Sequence, residues 1–296
     1  ENSNLQNLLI LTAVKADPSR VSDYIERLGN YDAPDIAQIC INNELYEEAF
    51  NIYKRYEVNV EAIGVLIDNI GSLDRAYEFA ERCDQPEVWS RLAKAQLDGL
   101  RIKDAIDSYI RAGDPDNYED VINVASRAGK FDDLIRFLAM ARQKVREPVI
   151  ENELLYAYAE TERLSDLDDM LRGPNIAQIQ VVGDKCYESG KFEAAKLLYQ
   201  SISNWARLAS TLVRLGNYQH AVDCARKANS TKVWKEVNAA CIAEEEFRLA
   251  QICGLHLVVH AEELPGLIRT YESKGYVDQI CSLLENGLSL ERAHMG

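Results

Sequence analysis

The 296 residues are 47% apolar and 27% charged, with 15 glycines and 7 prolines, a composition that belongs to an ordered globular chain and not to a disordered or low-complexity one. Forty-eight acidic residues against 33 basic ones give a formal net charge of −15, which argues against a nucleic-acid or anionic-membrane binder. The seven cysteines (Cys40, Cys83, Cys186, Cys224, Cys241, Cys253 and Cys281) stand singly without a CxxC pair, so they read as reduced core residues of a cytosolic protein and not as a disulfide framework. The chain opens on Glu1 with no signal peptide and no apolar run long enough to cross a bilayer, and a piece of a longer protein is expected.

Residues 1–16 predict a helix with Leu5, Leu8, Leu9, Leu11 and Ala13 inward. Asp17-Pro18-Ser19 ends it, with Pro18 suited to the first turn of the next element, where Val21, Tyr24, Ile25 and Leu28 form the stripe. A turn at Asp32–Asp35 precedes Ile36–Ile41. From Tyr46 onward a short helical face recurs: Tyr46–Ala49–Phe50–Tyr53, then copies opening on Leu73, Ile102, Phe131, Leu164, Phe192, Tyr218, Phe247 and Val277. Glycine stands two residues before that opening at Gly71, Gly129, Gly190, Gly216 and Gly275, as a left-handed helix cap requires. The residue three after the opening is alanine in six of the nine copies, which lets two helix backbones approach closely. Such a hairpin cannot bury its own apolar faces, so it must stack on its neighbours. The turns at Asp114-Pro115-Asp116 and Gly173-Pro174-Asn175 are too short to separate domains. No strand pattern is convincing, and two-thirds helix or more is expected.

A longer period lies over the first. Tyr46 and Phe192 stand 146 apart, Leu73 and Tyr218 145, Trp89 and Trp234 145, and Phe131 and Val277 146. Five hairpins therefore form a unit duplicated head to tail, and residues 46–140 should match 192–286 helix for helix.

No P-loop, GxGxxG after a strand, GxSxG or HExxH occurs, so no catalytic residue, cofactor site or metal site is assigned. His256 and His260 have the spacing of a helical zinc pair, but Leu257-Val258-Val259 between them supply no general base, and a packed pair is the expectation. Asn229-Ser230-Thr231 reads as a turn and N-cap, and the acidic clusters as solvated helix faces. One charge feature stands out. Arg142, Lys144 and Arg146, with Arg136 nearby, form a basic island in an acidic chain, after the longest interval between copies. They are candidate protein-binding residues for an acidic partner. Were the segment helical, Arg142 and Arg146 would share a face and Lys144 would not. The alternative is a helix end that complements its own dipole.

The segments Phe247–Leu264, Leu73–Leu97, Ala225–Val237 and Leu290–Gly296 resemble the clathrin heavy-chain family, and the resemblance extends over essentially the whole chain. It implies an all-α, right-handed α-solenoid of clathrin heavy-chain repeats from around the knee and the start of the proximal leg. The implied repeats are 1–105, 109–250 and the start of a further one at 255–296. It also implies a non-enzymatic scaffold of the clathrin coat in vesicle budding, endocytosis and intracellular transport. Its partners would be clathrin light chain and other heavy-chain legs, with no nucleic acid and no direct membrane insertion. Its place would be cytoplasmic, peripheral on coated pits and vesicles. The family's β-propeller and trimerisation segment are not among these residues, so adaptor binding and homotrimer formation by those routes are not expected of them. The alternative is a tethering subunit of the vacuolar-sorting type with the same repeat. An enzyme with a cryptic groove site finds no support in the residues.

Overall fold

Nine helices begin on the nine opening residues from Tyr46 to Val277, so the face that repeats in the sequence also sets the helix starts. The computed structural model describes residues 2–295. Helices take up 79% of the chain, no strand occurs among the described residues, and the architecture is that of an α-solenoid of stacked hairpins. The chain divides into two units, 1–146 and 147–296.

The first unit holds α1 (Ser3–Ala16), a 3-10 turn (Pro18–Arg20), α2 (Val21–Arg27), α3 (Ala33–Asn42) and α4 (Tyr46–Arg55). Next comes α5 (Asn59–Gly64), which runs into a π-helical turn (Val65–Ile70). It is followed by α6 (Leu73–Cys83), α7 (Pro86–Asp98), α8 (Ile102–Ala112), α9 (Tyr118–Arg127) and α10 (Phe131–Arg142). The second unit holds α11 (Pro148–Glu160), α12 (Leu164–Arg172), α13 (Ile179–Glu188), α14 (Phe192–Ser201), α15 (Trp205–Leu215) and α16 (Tyr218–Ala228). It continues with α17 (Thr231–Ala243), α18 (Phe247–Leu257), a 3-10 turn (Ala261–Glu263), α19 (Leu264–Ser273) and α20 (Val277–Met295).

Burial explains the alanines. The third residue after each opening (Ala49, Ala76, Ala105, Leu134, Leu167, Ala195, Ala221, Ala250, Ile280) is buried in every copy. The opening residue itself lies at a helix end and is mostly half-buried. Aromatic rings join one hairpin to the next edge-on, as in Phe50–Phe79 at 5.4 Å and Tyr109–Phe137 at 5.7 Å. Polar links on the surface repeat the same step: Arg75 to Glu47 at 2.5 Å, Arg136 to Asp107, and Arg248 to Gln219 at 2.7 Å.

The residue two before each opening is left-handed in all nine copies. Glycine occupies it in five, and Glu44, Leu100, Glu162 and Glu245 occupy it in the others. The turn geometry is thus common to every hairpin, while the residue that suits it best is not. At Gly216 the structure bears out the expected cap, with φ +78° and its N–H bonded to Val213. Asn204 caps the start of α15, its side chain accepting from the Arg207 N–H at 3.2 Å.

The two units match helix for helix over 46–140 and 192–286, and the slips in their offset have structural causes. α5 with its π turn spans twelve residues where α15 spans eleven. A π turn closes each hydrogen bond over five residues instead of four, so it absorbs one extra residue. The offset therefore falls from 146 at Asn59/Trp205 to 145 at Gly71/Gly216. It returns to 146 after α8 and α18. There Gly113 ends α8 in the left-handed region, whereas Val258 after α18 stays right-handed and the chain makes the extra 3-10 turn before α19.

Two local expectations are corrected. In α1 the buried residues are Ile10, Ala13 and Val14, while Leu5, Leu8 and Leu9 are exposed. The apolar residues of α1 are spread round the helix among polar ones, so periodicity alone could not select its inward face. Ser230 occupies the N-cap position of α17 without a side-chain capping bond, and Asn229 is the left-handed C-cap of α16.

Candidate functional site

The basic island begins where α10 stops. Pro148 opens α11, and proline biases the residue before it toward extended backbone; Glu147 accordingly sits at φ −120°, ψ 127°. Gln143 caps α10, and the N–H groups of Lys144 and Val145 fold back onto the Ala141 carbonyl at 3.0 and 2.9 Å. Arg142 is therefore the last residue of α10, half-buried, and Lys144 and Arg146 lie exposed in the connection. Since the helix ends at Arg142, Arg142 and Arg146 do not share a helical face.

Each cation has its own surroundings. Arg136 is ion-paired to Asp107 and lies 3.3 Å from Asp133; the Asp107 bond raises its already high pKa further. Lys144 Nζ donates to the Gly113 carbonyl at 2.7 Å, on the C-cap of α8. An ammonium at a helix C-terminus satisfies a carbonyl the helix leaves unbonded and complements the dipole. Lys144 thus closes the end of a different helix from the one it follows. Gly113 suits its φ of +62°, and a Cβ there would lie 2.6 Å from Lys144 Nζ, the movable end of a flexible side chain that would have to shift. Arg142 stands half-buried at the end of α10, and Arg146 is exposed in the connection that follows.

Elsewhere several charged groups are paired with one another. A cleft of about 420 Å³ in the first unit is lined by Asp104, Asp107, Arg111 and Arg136 beside Tyr77 and Trp89. Arg136 is held by Asp107, and Arg111 lies 4.6 Å over the Trp89 ring and 3.8 Å from Glu81. In the second unit Tyr199, buried on α14, donates to Asp184, and Arg207 reaches both the Tyr199 hydroxyl, at 3.2 Å, and Asp184, at 3.4 Å. Glu151, buried on α11, accepts from the Ile176 N–H, while Asn152 binds Gln178 through backbone and side chain. The Glu151 and Asn152 bonds hold the irregular stretch after α12 in place. These contacts escape a reading of the sequence because the partners stand 8 to 26 residues apart with no motif between them.

His256 and His260 do not form a helical pair. His256 is in the last turn of α18, stacked on Trp234 at 3.9 Å and 5° between planes. Burial lowers its pKa, and Arg226 lowers it further. His260 lies beyond the helix, 4.0 Å from Glu262. Among the described residues no group of three or more His, Cys, Asp or Glu is placed to hold a metal ion. Among them, too, no helix is long and apolar enough to cross a membrane.

A family model described as the region in clathrin and VPS matches residues 1–104 and 109–249. The probable clathrin heavy chain of Schizosaccharomyces pombe is 62% identical over 295 residues, and the clathrin heavy chain of Drosophila melanogaster 62% over 296. Clathrin heavy chain 1 of Arabidopsis thaliana is 52% identical over 295 residues. In all three comparisons the whole of this chain is aligned, and it spans 18%, 18% and 17% of those proteins respectively.

Proposed function

As this chain belongs to the clathrin heavy-chain family, we propose that it is a leg segment of a coat scaffold, built to pack against other legs and to carry a light chain. The observation that carries this is the 52–62% identity to heavy chains along the whole of a stack of helical hairpins. On this reading the chain is structural and not enzymatic. It works in the cytoplasm, peripherally on coated pits and vesicles, in endocytosis and intracellular transport. Homotrimer formation is assigned to a part of the protein beyond these residues. Repeats are proposed at 1–105, 109–250 and 255–296; the family-model spans 1–104 and 109–249 support the first two.

Arg142 and Arg146, with Lys144 subordinate, are proposed to meet carboxylates of an acidic light chain or a neighbouring leg. A local positive patch offsets the long-range repulsion between a chain of charge −15 and an acidic partner. Exposed pairs contribute only about 0.2–1 kcal/mol each, so the contact adjusts assembly without anchoring it.

Negative-stain images of the full-length protein test the scaffold reading. Three-legged particles are expected; a particle without legs overturns it and favours a vacuolar-sorting tether, which shares the repeat. Reversal of Arg142 and Arg146 to Glu is expected to weaken light-chain binding at low salt, and less so near physiological salt, where the screening length is about 8 Å. Unchanged binding at both salts reduces the island to a helix end complementing a dipole.

A further inference from the structure

The second unit departs from the first inside the hairpin of α17 and α18. In the first unit the matching helices α7 and α8 are joined by a buried hydrogen bond, Ser108 Oγ to Gln96 Oε1 at 2.6 Å. The residues 145 positions later are Cys241 and Cys253. Both are fully buried, and the Cys253 S–H donates to the Cys241 sulfur across the same hairpin. Two facing positions that carry an amide and a hydroxyl in one copy thus carry two thiols in the other, and the contact between them is kept. A thiol is a weak donor and a weak acceptor, so this pair holds its hairpin less firmly than Gln96 and Ser108 hold theirs. What two facing thiols can do, and an amide and a hydroxyl cannot, is form a covalent bond.

The two sulfurs are not equivalent. The bond from Cys253 lowers the Cys241 pKa below the ordinary thiol value and outweighs burial. Donating that bond raises the pKa of Cys253, and burial raises it further. Cys241 is therefore the readier to ionise and attack, and Cys253 is placed to resolve what Cys241 forms. The thiols of Cys40, Cys83, Cys186 and Cys224 are pushed up chiefly by burial.

We propose that Cys241 and Cys253 are a redox site, which hydrogen peroxide converts to a disulfide that staples α17 to α18. The Cys241 thiolate attacks one peroxide oxygen, the O–O bond breaks, and the departing hydroxide takes up the Cys241 proton as water. The Cys253 sulfur then attacks the sulfur of the Cys241 sulfenic acid. The S–S bond forms, and the hydroxyl leaves with the Cys253 proton as a second water. Two thiols are oxidised and one peroxide is reduced. Peroxide is little larger than water and reaches the pair during local opening of the hairpin. The link closes residues 241–253 into a ring within that hairpin and so suppresses the opening. Thiol reductants reverse it, as befits a transient disulfide in a reducing compartment.

The test is treatment of the folded 296-residue chain with hydrogen peroxide. Peroxide is then removed, the chain is unfolded in alkylating reagent, and its peptides are weighed without reduction. A linked Cys241–Cys253 peptide is expected, lighter by about 2 Da than the two thiol peptides together. Amide hydrogen exchange in α17 and α18 should slow at least about tenfold in the linked chain, and dithiothreitol should reverse both changes. Cys241→Ser and Cys253→Ser should each abolish the linked peptide and the slowing, whereas Cys281→Ala, at an exposed position, should leave both as in the parent. Should a serine variant fail to fold, the parent chain decides alone, because the link must form without urea. Alkylation of both Cys241 and Cys253 after a treatment that oxidises Cys281, a link that forms only in urea, or unchanged exchange in the linked chain would overturn the proposal.

Discussion

Leu100 holds the left-handed position between α7 and α8, at φ +61°, where other hairpins place glycine. Its side chain is 72% exposed, so little apolar burial is at stake. A side chain bearing a Cβ in this region is strained by roughly 1–2 kcal/mol. Replacement by glycine removes that strain and adds unfolded-chain entropy worth about 0.5–1 kcal/mol in the opposite direction. The net expectation for Leu100→Gly is stabilisation of about 0.5–1 kcal/mol, or a melting midpoint about 1–3 °C higher. The two backbone bonds of the turn, Leu100 N–H to Leu97 at 2.9 Å and Arg101 N–H to Gln96 at 2.8 Å, are unaffected by the change. Thermal and urea unfolding of the chain measure it, with hydrogen exchange at the amides of α7 and α8 to localise the gain. A lower midpoint, with protection lost in those two helices, would refute the argument and show that the Leu100 side chain contributes more than its exposure suggests.

Three further outcomes follow from the same geometry. Gly216→Val is expected to destabilise by about 1–2 kcal/mol, read by urea unfolding, because a β-branched residue is forced to positive φ. Gly113→Ala is expected to destabilise by about 1–2 kcal/mol in urea unfolding through positive-φ strain, and because the end of Lys144 can move aside, Lys144→Met in the same background should recover none of it. For His256 the folded pKa lies below the ordinary value of 6.5, chiefly through burial and then through Arg226. Its contribution is therefore complete above the unfolded pKa and is lost as pH falls through about 6.5 toward the folded value. Urea midpoints at pH 7 and pH 5 should differ less in His256→Phe, which keeps the ring over Trp234, than in the parent; an equal difference excludes His256 as the source.

Much of this protein was written locally. The apolar step of three, four and seven residues determined where nine helices begin, because a helical face is a property of neighbours in sequence. The duplicated register was equally plain, and so was the role of Gly216. The clathrin likeness rested on whole segments such as Phe247–Leu264 and needed no coordinates. What the tertiary structure decided lies in the space between hairpins. Leu100 and three glutamates take the glycine's conformation because stacking on both sides demands the same turn, whatever residue supplies it. The inward face of α1 was set by α2 and α3, because its apolar residues are spread round the helix and mark no single side. The extra residue in α5 showed in the sequence only as a slip from 146 to 145, and its resolution as a π turn needed the backbone. Lys144 was visible as a charge in an island, but its bond reaches Gly113, 31 residues back. Local propensity can place an ammonium near a helix end; only packing chooses which helix that end belongs to.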